Sequence, residues 1–255
     1  MKEVQDFYNK YQYPKSKQYT NKQIKKNKKI LLNILKIGNL DLEKIKNKRI
    51  LIAGCGTGEK SILLSKYKAK VSAIDFSSGQ LNEAKNRAKK QNVEIKFYKK
   101  DILKDNLKDL GKFDIILSLG VLHHTNNAKL GFSKICKLLN KNGIIIIGLY
   151  HKYARIRFRI LRFVFRNFVS NEPDKLINWI LHKQKLSKNL KKAPISTLYD
   201  RYAIPFESYY TVKEVKKWFK GNNILFTKNS KNVNGIEFLK IFEKKTIFFI
   251  SGIKK

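Results

Sequence analysis

The chain has 255 residues, with 56 lysines and arginines against 19 aspartates and glutamates, for a formal net charge of +37. That length predicts one α/β domain with decorations and a full core; no apolar run nears the roughly 20 residues of a membrane span, and the polar N-terminus predicts no signal peptide. Such a charge attracts nucleic acid, acidic membranes or anionic substrates, yet the lysines are spread along the chain and Lys, Asn and Ile are over-used throughout, so a merely compositional basicity is an equal alternative.

In chain order, residues 1 to about 20 are aromatic and polar (Phe7, Tyr8, Tyr11, Tyr13, Pro14, Tyr19). A helix is predicted from about Asn21 to Ile37, with apolar Ile24, Ile30, Leu31, Ile34 and Leu35. Arg49 to Gly58 reads as a buried strand running into a loop with glycines at 54, 56 and 58. Lys70 to Asp75 is a second strand ending in an acid. Residues 77 to 91 form an amphipathic helix with Ser77 and Gln80 as its capping box. A third strand spans Glu94 to Tyr98, with Asp101 and Ile102 just beyond it. A fourth spans Phe113 to Gly120, followed by Val121-Leu-His-His-Thr125. A helix at 127–140, an Asn142-Gly143 turn and a strand from Gly143 to Leu149 complete a βαβ alternation, the pattern of a parallel sheet. Cys55 and Cys136 fall in separate elements without metal-ligand spacing, so neither a disulfide nor a metal site is expected.

The stretch from Tyr150 to Tyr210 is an insertion. Its first part has helical period, with Arg155, Arg159, Arg162 and Arg166 on one face and Ile156, Ile160, Phe163, Val164 and Phe168 filling much of the rest. Residues 154–169 are therefore a candidate contact for an anionic membrane surface or RNA; the alternative is a lid or dimer helix with solvated arginines. Its second part crowds Tyr199, Asp200, Arg201, Tyr202 and Glu207 before a helix capped by Thr211 and Glu214 that reaches about Phe219. Strands near 223–227 and 246–251 finish the sheet. There are no internal repeats.

The glycine loop and Asp75 together describe a nucleoside site: backbone amides for one end of a ligand, a carboxylate for ribose hydroxyls. A dinucleotide fingerprint would need glycine at 59, and so would a P-loop, which Gly54 and Lys60-Ser61 otherwise approach. Glu59 stands there instead, and its carboxylate would repel a triphosphate.

G-x-G-x-G after a strand, with the ordered matches that follow it, resembles the Rossmann-like (class I) S-adenosylmethionine-dependent methyltransferases over roughly residues 45 to 150. The resemblance implies a seven-stranded, mostly parallel sheet with an antiparallel last strand. It also implies a cap segment at 1–44, a cofactor-binding core at 45–150, a helical substrate lid at 151–210 between strands five and six, and the rest of the sheet at 211–255. It places S-adenosylmethionine against Gly54, Cys55, Gly56 and Gly58 at its methionine end, Asp75 at the ribose, Phe76 on the adenine, Asp101 and Ile102 at the base edge, and Leu119 and Gly120 near the methionine carbons. His123 and His124 are candidate bases, the alternative for either being a packed histidine that holds the loop. Tyr199, Arg201 and Tyr202 are candidate substrate contacts, as are Asp200 and Glu207. Leu119-Gly-Val-Leu-His lacks the Asn/Asp-Pro-Pro-aromatic segment of exocyclic-amine nucleic-acid methylases, and no Pro-Cys pair supports pyrimidine C5 methylation.

The expectation is a cytoplasmic methyltransferase, peripheral at the membrane if residues 154–169 bind it, acting on a small-molecule or lipid-like acceptor at O, N or C, with no metal. The alternatives are an RNA or protein methyltransferase using the basic surface, and a non-catalytic cofactor-binding partner protein.

Overall fold

Strand β1 (Arg49–Ala53) alternates between two buried faces. Ile50 and Ile52 join one apolar cluster, and Leu51 and Ala53 join another. A strand covered on both faces reads as an unbroken apolar run, as strands of parallel sheets do. The computed structural model describes residues 2–11, 21–182, 195–230 and 246–255. These form a seven-stranded sheet in the order β3-β2-β1-β4-β5-β7-β6, with β2 at Lys70–Asp75, β3 at Lys96–Lys99, β4 at Phe113–Leu119, β5 at Leu139–Tyr150, β6 at Ile224–Asn229 and β7 at Ile247–Lys254. The first five strands are parallel, and β7 runs antiparallel to both β5 and β6.

Helices α2 (Asn21–Leu35) and α3 (Glu59–Lys66) cover one face through Leu31, Ile34, Leu63 and Leu64. Helices α5 (Ala128–Cys136) and α9 (Val212–Lys220) cover the other through Phe132, Val215 and Phe219. Helix α4 (Ser78–Lys90) packs beside β2 and β3. Strand order reverses between β1 and β4, so the loops at their carboxyl ends diverge and open a crevice, where ligands of such sheets bind.

The insertion consists of α6 (Ile156–Phe168), α7 (Pro173–His182) and α8 (Ile195–Leu198), the last continuing into a wide turn at Tyr199–Ala203. It shares its own core with a helix that was not expected, α1 (Lys2–Lys10), whose Phe7 packs with Phe165, Leu176, Ile180 and Leu198. Tyr13, Pro14 and Tyr19 lie outside the described residues.

Several sequence expectations shift. β5 starts at Leu139 rather than Gly143; its pairing with β4 changes register between Phe113 and Ile115, and Asn142 adopts φ 60° inside it. Thr211 and Glu214 form the full capping box. Ser77 Oγ accepts the Gln80 N–H at 3.2 Å, but the Ser77 N–H donates to Asp75 Oδ1, so the acid enters the cap.

The arginine row of α6 is turned the opposite way to the solvated face read from the sequence. Arg155 and Arg162 are buried and Arg166 half-buried, leaving Arg159 exposed. The cause is Glu207, which stands inside the insertion 2.9 Å from Arg155 Nη2 and 2.7 Å from Arg162 Nη1. Arg162 and Arg166 each also donate to the Ile204 carbonyl at 2.6 Å. Three guanidiniums are thus held internally beside Phe165, and Ile160, Phe163, Val164 and Phe168 face outward.

Candidate active site

The loop after β1 turns through three positive-φ glycines. At Gly54 (φ 84°) a Cβ would lie 2.3 Å from a Val121 methyl, so only glycine lets the β1 and β4 loops approach this closely. The loop is braced from behind. Glu59, the residue that blocks a P-loop, accepts from Asn27 of α2 at 3.1 Å and lies 3.7 Å from Arg87 of α4. Arg87 also donates to Thr57 Oγ1 at 3.1 Å.

These elements enclose a cavity of about 420 Å³, within the usual range for a small-molecule site. Gly54, Cys55 and Gly56 line it from β1, with Asp75 and Phe76 from β2. Asp101 and Ile102 line it beyond β3, and Leu119 and Gly120 at the end of β4. Gly58 stands behind this wall, where a Cβ would meet Ala84 at 2.9 Å. At Gly120 (φ 80°) nothing lies within 4 Å of a Cβ position, so the cavity is open there.

Asp75 is buried, with Oδ2 accepting the Gly56 N–H at 2.8 Å and Oδ1 the Ser77 N–H at 3.0 Å. Burial pushes its carboxyl up to about 6, against the pull of these amide bonds. Asp101 Oδ1 accepts the Leu103 N–H at 2.8 Å, which fixes its side chain at the wall. Lys60 lines the same end, in the first turn of α3, and desolvation lowers its ammonium pKa while Glu59 opposes the shift. The sequence offered Lys60 only as part of a failed P-loop.

The far end of the cavity is built from four separated segments: Tyr8 of α1, His123 and His124 after β4, Tyr150 at the end of β5, and Asp200 of the insertion. The two histidines differ. His123 Nδ1 accepts the Tyr150 N–H at 3.3 Å, its ring stacks on Tyr150 at 3.8 Å, and its carbonyl accepts from Ser208 N at 2.7 Å. Burial and the neighbouring His124 and Arg155 hold it well below the usual histidine range, so it ties the loop as a neutral ring.

His124 Nδ1 lies 3.1 Å from the Phe206 carbonyl, which can only accept, so Nδ1 carries the proton and Nε2 the lone pair. Nε2 lies 3.9 Å from Asp200 Oδ1. Burial lowers the His124 pKa, while Asp200, Glu207 and the Phe206 carbonyl oppose the shift. Asp200 accepts from Tyr8 Oη at 2.9 Å and Tyr150 Oη at 3.3 Å. Two acceptors therefore face each other, a place for a donor hydroxyl or ammonium.

The remaining lid candidates stand apart from the cavity wall. Tyr199 stacks on Tyr11 at 4.2 Å and donates to Asp174. Arg201 covers the Phe158 ring at 5.1 Å, and Tyr202 is buried in the insertion core. Tyr8 and Tyr150 had no signal of their own, since each reaches Asp200 only through the fold.

This sheet order, with a glycine loop after β1 and a buried acid at the end of β2, is that of the Rossmann-like, or class I, methyltransferases. The chain belongs to the methyltransferase domain family, whose model matches residues 44–223. It is 36% identical over 108 residues to a ubiquinone biosynthesis O-methyltransferase of Pelagibacter ubique, a match covering 42% of this chain and 44% of that one. The matched stretches span about half the length of the curated relatives. Among solved structures, magnesium protoporphyrin IX methyltransferase of Synechocystis PCC 6803 with bound SAH superposes with TM-score 0.62 at 15% identity, covering 99% of this chain and 98% of that one. PKMT2 of Rickettsia typhi superposes with TM-score 0.67 at 15% identity, covering 90% and 54%. At such identities the superpositions speak to the fold.

Proposed function

We propose that the chain binds S-adenosylmethionine in this cavity and methylates a small-molecule or lipid-like acceptor on a protonated oxygen or nitrogen. The observation that carries the reading is Asp75, a buried carboxylate fixed at the cavity wall by the glycine loop's own Gly56 amide. The open space at Gly120 and the apolar walls from Phe76, Ile102 and Leu119 fit the same ligand. The cofactor, when bound, supplies a methyl group activated on a sulfonium for in-line displacement. Asp75 accepts the ribose hydroxyls, Asp101 holds the base edge, and the Lys60 ammonium offers a partner to the carboxylate. At the far end the acceptor's hydroxyl or ammonium donates to His124 Nε2, which takes the proton as methyl transfer proceeds. Asp200, held by two tyrosine hydroxyls, stabilises the imidazolium that forms. The pairing of a base with a protonated acceptor favours O- or N-methylation over transfer to carbon.

The cofactor's hydroxyls and a proton compete for the Asp75 carboxylate. Its free-protein pKa is about 6, so S-adenosylhomocysteine affinity is full above that pH and falls as pH drops through it. The dissociation constant, measured by calorimetry, should be level from pH 8 to 7 and rise several-fold by pH 5, approaching tenfold per unit below the transition. A level constant from pH 8 to 5 would contradict the role given to Asp75.

A further inference from the structure

The outward face of α6 carries Ile160, Phe163, Val164 and Phe168, at spacings that stack them along one side. They are 57%, 66%, 39% and 78% exposed, and Leu161 beside them is also exposed. A surface helix ordinarily turns such a stripe inward. Here Arg155, Arg162 and Arg166 turn inward beside Phe165, the first two paired with Glu207 and the last two donating to the Ile204 carbonyl. The polar residue within the stripe, Asn167, turns its amide back onto the Phe163 carbonyl at 2.8 Å. The result is an apolar ridge about 12 Å long.

Charge decides what covers it. No acidic residue occurs from His151 to Asn171, and Lys152, Arg157 and Arg159 are exposed at the N-terminal end of the ridge. A second copy of the chain would bring another +37 charges to the same contact and be repelled. RNA would engage the exposed cations alone and leave Phe163 and Phe168 uncovered. An apolar ridge beside exposed cations matches the boundary between acyl chains and anionic headgroups. We propose that α6 seats the protein on an anionic phospholipid bilayer, with Phe163 and Phe168 inserted below the headgroups and Arg157 and Arg159 at the phosphates. The contact is thus made by the side of the helix opposite to its buried arginine row.

The test is co-sedimentation of the full chain with vesicles of phosphatidylcholine alone or mixed with phosphatidylglycerol. The expected result is binding to the mixed vesicles, at least tenfold weaker binding to the neutral ones, and at least a tenfold loss in F163E/F168E. K89Q/K90Q, with the same charge change on exposed lysines of α4, should lose less than threefold. Both variants should keep wild-type helicity and S-adenosylhomocysteine affinity, which separates this test from that of the methyltransferase reading. In F163W, the added tryptophan emission should move to the blue on the mixed vesicles. The proposal is overturned if the wild type ignores all vesicles, if F163E/F168E binds them as the wild type does, or if the F163W emission is unchanged on bound vesicles. A concentration-dependent dimer that F163E/F168E abolishes, without vesicle binding, would equally overturn it in favour of a second copy.

Discussion

Replacing Glu207 with alanine is expected to cost about 3–5 kcal/mol of folding free energy, because it leaves buried guanidiniums without their anion. In a domain of this size that lowers the melting temperature by roughly 10 °C or more, read by calorimetry or circular dichroism. The side chains of Glu207, Arg155 and Arg162 are 1%, 2% and 8% exposed. Tyr209 Oη donates to the same carboxylate at 2.6 Å, so its lone pairs are well used. Burial alone would raise the Glu207 pKa, but Arg155 and Arg162 outweigh it and the net shift is downward. Its contribution is therefore fully present above the unfolded-state value of about 4.3 and is lost as pH falls through the lower folded-state value. Between the unfolded-state and folded-state values the wild type should lose stability on acidification more steeply than Glu207→Gln. An apolar replacement of all three members should recover much of what the single change loses, since the cost lies in the unpaired charges. A change below 1 kcal/mol on Glu207→Ala would show that the cluster is hydrated rather than sealed.

Asp200→Asn should lower kcat by about 10²–10⁴-fold once an acceptor is in hand, leaving S-adenosylhomocysteine affinity within about twofold. Asparagine keeps the size and can still accept from Tyr8, but it cannot balance a charge on His124 at 3.9 Å. His124→Gln should fall by a similar factor, and the double variant by little more than either single one, because the two act as a unit. His123→Gln should instead lose stability first, since its buried ring stacks on Tyr150 and accepts the Tyr150 N–H, tying the loop after β4 to β5. A rise in KM alone, with kcat unchanged in Asp200→Asn, would remove His124 and Asp200 from proton transfer.

The sheet and the glycine-loop end of the cavity were legible because they are local. β1, its glycines and Asp75 sit within 27 residues, and the alternation of strand and helix carries a period that needs no partner to read. β5 was read short because Asn142, at φ 60°, looks like a turn but lies within the strand. α1 was missed because only Val4 and Phe7 of its nine residues are buried, and it is held by α4 and the insertion rather than by its own pattern. In α6, periodicity placed four arginines on one face but could not say which face was inward. That depends on Glu207, 41 positions beyond Arg166, and on charge pairing that a one-dimensional pattern does not contain. The far end is non-local throughout: Tyr8, His124, Tyr150 and Asp200 meet only after the insertion and α1 have packed together. Of the crowded residues at 199–202, spacing gave no reason to choose Asp200 over its neighbours, which serve the insertion core or its surface.

The central claim is that the Asp75 cavity holds S-adenosylmethionine. It is tested most directly by calorimetric titration of the wild type and Asp75→Ala with S-adenosylmethionine and S-adenosylhomocysteine at pH 7.5. Binding of both ligands at one site in the micromolar range, weakened at least about 100-fold in a folded Asp75→Ala variant, is the predicted result. Absence of binding by the folded wild type, or equal affinity in the variant, would contradict it.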